Sequence, residues 1–131
     1  MATVPVTIPA DIERRIHAMC LALPEVAIRV DESLVPSRST AYAFDIRRRP
    51  FCLLVATRDP TGKTVPLIVV RIASDERQAL LASGHPFFPS RAGADRIGVL
   101  LGDDTDWEEI RQLVTESYRR LAPKKLTALL G

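Results

Sequence analysis

Aromatic residues are scarce in this sequence: one Trp, two Tyr and four Phe make up 5% of its 131 residues. A core of useful size must therefore come from Leu, Ile, Val and Ala, and no aromatic ladder suited to stacking single strands accompanies the basic residues. Cysteine is limited to Cys20 and Cys52, with no CxxC or other metal-ligand spacing. Long hydrophobic runs are missing; the longest, over 51–56 and 65–70, are far too short to span a bilayer. The first residues, Met1-Ala2-Thr3-Val4-Pro5-Val6-Thr7, lack the basic region and continuous apolar stretch of a signal peptide. A cytoplasmic protein with reduced, buried thiols and no membrane partner is the expectation.

A strong excess of one charge is also absent. Eighteen Lys and Arg against sixteen Asp and Glu leave a net charge of +2. So weak a balance does not announce a nucleic-acid binder; a footprint would have to be a local patch. Local concentrations exist. Residues 95–109 carry six acids against Arg96, while from Arg111 onward five basic residues face Glu116. The other basic concentration is Arg47-Arg48-Arg49.

What is present is the composition of a folded domain: 47% hydrophobic and 26% charged residues, with a length suited to one domain over 1–131. Ile12, Ile16, Met19, Cys20 and Leu23 recur at helical spacing and predict a helix over 9–22, stopped by Pro24. Thr7 or Ile8 would precede it, and Asp11 and Glu13 suit the positive end of its dipole. Strands are predicted over 26–30, 41–46, 51–56, 65–72 and 97–101, with Pro66 arguing for an edge position or a strand start. Ser74-Asp75-Glu76 starts a short helix that Gly84 stops, and His85-Pro86-Phe87-Phe88-Pro89 reads as a loop. Thr105-Asp106-Trp107-Glu108 has the spacing of a capping box and opens a helix with Trp107, Ile110, Val114, Tyr118 and Leu121 on one face. The order α-β-β-β-β-α-β-α-α, with local hairpins, defines an α+β two-layer sandwich: an antiparallel sheet with helices on one face.

Several chemical motifs fail at named positions. Gly62-Lys63-Thr64 lacks the earlier glycine of a phosphate loop, Thr57 standing there, and precedes a strand rather than a helix. An EF-hand starting at Asp104 would need Gly and Glu where Glu109 and Thr115 stand. His17 and His85 have no nucleophile or carboxylate supplied by a motif, and apolar surroundings oppose thiolate formation at Cys20 and Cys52. No catalytic residue, metal ligand or cofactor is assigned, and binding rather than catalysis is the expectation.

The residues best suited to a ligand are basic. Arg47, Arg48 and Arg49 at one hairpin tip, with Arg58 and Lys63 at the next, would grip phosphates as two adjacent wings, and Lys124 and Lys125 would extend the patch. Charged tips also keep sheet edges soluble, which is the competing account of the same residues. DNA is the partner this footprint fits, on a chain expected to be monomeric. The alternative is a small-ligand or protein-binding site, or a cryptic enzyme, using a cleft beside His85, Phe87 and Phe88.

Three stretches carry a resemblance. Cys20-Leu21-Ala22-Leu23-Pro24-Glu25-Val26, the helix of 74–84 with Phe87-Phe88-Pro89, and Tyr118-Arg119-Arg120-Leu121-Ala122-Pro123-Lys124 are similar to the MmcQ/YjbR family. That resemblance implies a frataxin/CyaY-like α/β sandwich with no established activity, for which DNA binding has been suggested from shape. Two departures stand out: Ile97 replaces an aromatic of the last strand, and Arg47-Arg48-Arg49-Pro50 replaces a tight glycine turn.

Overall fold

Ile12, Ile16 and Cys20 follow one another at single-turn intervals, and all three are buried on helix α1, Ala10–Leu21. In the computed structural model, which describes residues 8–30, 41–58, 60–90 and 92–130, this stripe lies against a sheet whose inner face carries Phe44, Leu54, Ile68 and Val99. Thr7 lies outside the described residues, as does Asp59. The chain then forms β1 (Ala27–Val30), β2 (Ala41–Ile46), β3 (Arg49–Arg58), β4 (Thr64–Arg71), α2 (Ser74–Ser83), β5 (Phe87–Pro89), β6 (Arg96–Leu100), α3 (Trp107–Leu121) and α4 (Lys124–Thr127), ending in a 3-10 turn over Ala128–Leu130. Among the described residues six strands make one antiparallel sheet in the order β1-β2-β3-β4-β6-β5. Helices α1 and α3 pack on its inner face, so the expected α+β architecture is present.

The second long helix is amphipathic for the reason read from its sequence. Ile110, Val114 and Tyr118 are buried, with Trp107 and Leu121 packed at the margin. Its start differs from the expected capping box. Asp106 is the N-cap, accepting from the Glu109 amide at 3.2 Å, while the Thr105 hydroxyl accepts from the Gly102 amide at 2.7 Å. An aspartate directly before the helix competes well with threonine for the cap, and the threonine then closes the preceding turn.

Two strand expectations need correction. Phe87–Pro89 is a short edge strand, not a loop, paired with β6 through Phe88 opposite Gly98. A Cβ at Gly98 would stand 2.3 Å from the Phe88 ring, so the glycine is what lets that ring lie flat on the outer face of the sheet. Pro66 sits near the start of β4, as one reading had it, but β4 is central rather than an edge. The position is tolerated because Pro66 faces β6 where that strand is ending, and its carbonyl still accepts from Leu101 at 2.9 Å.

A bulge shapes one end of the sheet. Phe44 pairs with Cys52, but Asp45 pairs with Pro50, leaving Phe51 as the extra residue of β3. Phe51 and Cys52 can then both point inward, and the Phe51 ring meets Tyr118 edge-on at 5.5 Å. Tyr118 is wholly buried and donates its hydroxyl to the Pro24 carbonyl at 2.7 Å, tying α3 to the segment after α1.

Both tyrosine phenols are held above their ordinary value of 10.0: Tyr118 by burial and then Glu25, Tyr42 by its hydrogen bond to Glu13 and then burial. A raised folded-state value means that the unfolded chain loses these protons first. Stability is therefore whole below about pH 10 and falls as pH climbs through the folded-state values. Urea midpoints should decline above about pH 10, and Tyr118→Phe should flatten that decline while costing about 1 kcal/mol at neutral pH through the missing hydroxyl bond. An unchanged alkaline limb in the variant would contradict this assignment.

Candidate functional site

The β2–β3 connection is a two-residue turn, with Ile46 paired to Arg49 and Arg47 and Arg48 between them. Both have positive φ, 53° and 68°. That is the backbone of a type I′ hairpin turn, whose twist matches the flanking strands and whose usual residues are Asn-Gly. Two arginines in the left-handed region cost roughly 1–2 kcal/mol each. Arg47 partly answers this by pairing with Glu25 at 3.2 Å, itself at φ 60°. Replacing the pair with Asn-Gly (Arg47→Asn with Arg48→Gly) should raise stability by about 1 kcal/mol once the removal of that exposed ion pair is counted. A lower urea midpoint in this double variant would show that the turn is not strained.

Four more elements deliver arginines to the same end. Arg71 closes β4 and Arg96 opens β6, opposite one another across the ladder. Arg120 lies in the last turn of α3, and Arg77 on α2 donates to the Arg96 carbonyl at 2.8 Å. Arg71 is the recessed member, its side chain 12% exposed. Its Nε donates to the Pro50 carbonyl at 2.9 Å and its Nη1 reaches Asp95 at 3.4 Å. Burial, then Arg96, and more weakly Arg49 and Arg120, push its guanidinium below the ordinary arginine range, with Asp95 opposing them. Arg71 thus feels the charge of Arg49, Arg96 and Arg120, although the four come from distant parts of the chain.

Ser117 fixes this arrangement. Extending the β3–β4 register by one step would pair Phe51 with Arg71. Instead the Ser117 hydroxyl accepts from the Arg71 amide at 2.8 Å and donates to the Phe51 carbonyl. The side chain is fully buried and splices the ladder at the position where the arginines gather.

The paired-wing expectation does not survive the topology. Arg47, Arg48 and Arg49 stand at one end of β3, while Arg58 ends it and Lys63 lies beyond, at the other. Ten residues of strand put the two tips roughly 30 Å apart, since a strand rises about 3.4 Å per residue. The two hairpins therefore point apart rather than forming one surface. Lys124 and Lys125 do follow Arg120 closely, separated from the end of α3 by Ala122 and Pro123, and both are exposed. Neither Arg71 nor Arg96 is a site candidate in the sequence and Arg120 is legible only as part of the basic stretch from Arg111 onward, because strand register and helix packing bring the three together.

The opposite end holds Asp11, Asp103 and a cleft. Its walls are the first turn of α1, the start of β4 and the turn after β6, and its volume is about 360 Å³. His85, before a cis peptide to Pro86, lines it and pairs with Asp104 at 3.2 Å. Phe87 and Phe88 are elsewhere: Phe87 packs on the core and Phe88 covers Gly98. Gly62, at φ 84°, turns the chain into β4, which excludes a phosphate loop because no helix follows.

His17 and the cysteines belong to the core and its margin. The His17 ring meets Tyr42 and Phe44 edge-on at 4.8 and 5.3 Å, and its Nε2 is buried without a hydrogen-bond partner. Cys20 and Cys52 are adjacent in the core, and the contact with Cys52 together with burial holds the Cys20 thiol far above the ordinary thiol range. That opposes thiolate formation. Among the described residues no three His, Cys, Asp or Glu side chains gather as a metal cage would require, and no helix is long and apolar enough to cross a membrane.

The features define a class first: a small α+β protein whose described residues form one six-stranded antiparallel sheet, with arginines gathered at one end and a cleft at the other. The chain belongs to the YjbR family, whose family model matches residues 21–120. No curated protein and no solved structure matches it.

Proposed function

We propose that this chain is a non-catalytic binding module for duplex DNA, which it grips by the phosphate backbone at the arginine end of the sheet. The observation that carries the reading is geometric: Arg71 stands opposite Arg96 across the β4–β6 ladder, bonds the Pro50 carbonyl beside Arg49 and lines one hollow with Arg120. Like charges gathered from separate elements gain their counterpart when an anion is supplied. Arg71 is braced by Pro50 and Asp95 and acts as the support. The exposed side chains of Arg48, Arg49 and Arg120, with half-buried Arg96, reach the phosphates. Lys124 and Lys125 extend the footprint beyond α3.

Phosphate pairing of this kind carries little sequence information and depends steeply on salt. The four arginine–phosphate pairs alone give a slope of about −3.6 in log K against log salt, or roughly 150-fold between about 50 and 200 mM, and the two lysines steepen it. Fluorescence anisotropy on a labelled duplex measures that slope. Absence of binding at low salt, or binding indifferent to salt, removes the reading.

A further inference from the structure

The cleft at the other end of the sheet is independent of the gathered arginines, and its chemistry is different. Its floor is apolar and buried: Ile12 from α1, Pro66 from β4 and Leu101 after β6. Its rim carries the exposed carboxylates of Asp11 and Asp103, and Asp104 adjoins through His85. Two basic groups reach the cleft, Lys63 and His85, the second paired with Asp104. Asp11 and Asp103 have no ion-pair partner among the described residues. Asp11, Asp103 and Asp104 still outnumber Lys63, and an apolar floor beneath that excess of negative charge is complementary to a molecule with a hydrocarbon body and a cationic head. A volume of about 360 Å³ is at the small end of the ~300–1,000 Å³ common for ligand sites.

We infer that this cleft is a binding site for a small amphipathic cation, an alkyl- or arylammonium whose apolar body rests on Ile12, Pro66 and Leu101 and whose ammonium meets Asp11 and Asp103. The apolar floor supplies most of the affinity, because rim carboxylates are solvated and each contributes modestly. The carboxylates supply selectivity, rejecting an anion of the same shape by repulsion.

An NMR titration of the full chain with phenethylammonium, phenethyl alcohol and phenylacetate tests this. The ammonium should give saturable amide shifts at Ile12, Leu101 and Gly102. The alcohol should bind about three- to fivefold more weakly, and phenylacetate more weakly still. Asp11→Asn with Asp103→Asn, two exposed positions whose change leaves the core intact, should reduce the ammonium to the affinity of the alcohol and leave the alcohol unchanged. Charge reversal at Arg48 and Arg49 should leave all three affinities unchanged, so failure here is separable from failure of the DNA reading. Shifts that do not saturate, that centre elsewhere, or that are equal for the three probes overturn the proposal. So does an ammonium affinity untouched by the paired asparagines.

Discussion

Reversing Arg48, Arg49 and Arg120 together to glutamate is expected to weaken duplex DNA binding about a hundredfold at about 50 mM salt, taking about 1 kcal/mol for each exposed arginine–phosphate pair removed. The slope of log K against log salt should become shallower by about 2.7, because three of the cations that displace counterions are gone while Arg96, Lys124 and Lys125 remain. The three side chains are exposed, so the fold should persist and circular dichroism should be unchanged. Arg58→Glu with Lys63→Glu is the matched control, carrying the same kind of charge change at the other end of β3. That end is roughly 30 Å away, about three Debye lengths at 0.1 M salt, so this pair should shift affinity by no more than about twofold. If the control weakens binding as much as the triple variant, the protein is responding to net charge alone and the arginine end is not a site. If neither weakens it, duplex DNA is not held by these residues.

The contrast between those two variants marks what the sequence could and could not tell. Element order was legible because periodicity is local: the stripe of Ile12, Ile16 and Cys20 and the alternation over Ala41–Ile46 need no distant partner to be read. The identity of the basic turn was legible for the same reason. Its partners were not. Which residues share an end of a sheet depends on strand direction and register, and a hairpin sends its next tip to the opposite end. Arg71 and Arg96 are separated by α2 and β5 yet stand opposite one another in the β4–β6 ladder. The bulge at Phe51 was also hidden, because it shows only in the offset between two strands. The cleft was half legible: His85 is in it, but Phe87 and Phe88 were assigned to it from a loop that is in fact a strand.

Ser117 is the residue where stability and the arginine end meet, and Ser117→Ala should cost about 2–4 kcal/mol. Nothing in the sequence singles it out, since a serine within an amphipathic helix usually faces solvent. Here it is fully buried, and its hydroxyl satisfies the Arg71 amide and the Phe51 carbonyl at once. Deleting it strands a part-buried donor and a buried acceptor, and each unsatisfied group costs about 1–3 kcal/mol when water cannot replace the bond. Direct repair requires β3 and β4 to close onto each other, which the inward Phe51 ring against Tyr118 opposes. The urea midpoint reads the total cost, and exchange of the Arg71 amide reads the local opening, which should quicken more than that of Val69 within the ladder. Arg71 then loses its fixed backbone, so DNA affinity should fall in Ser117→Ala although no exposed charge has changed. A loss below about 0.5 kcal/mol with a still-protected Arg71 amide would mean that the strands pair directly without the hydroxyl. The basic end would then owe its shape to the bulge alone.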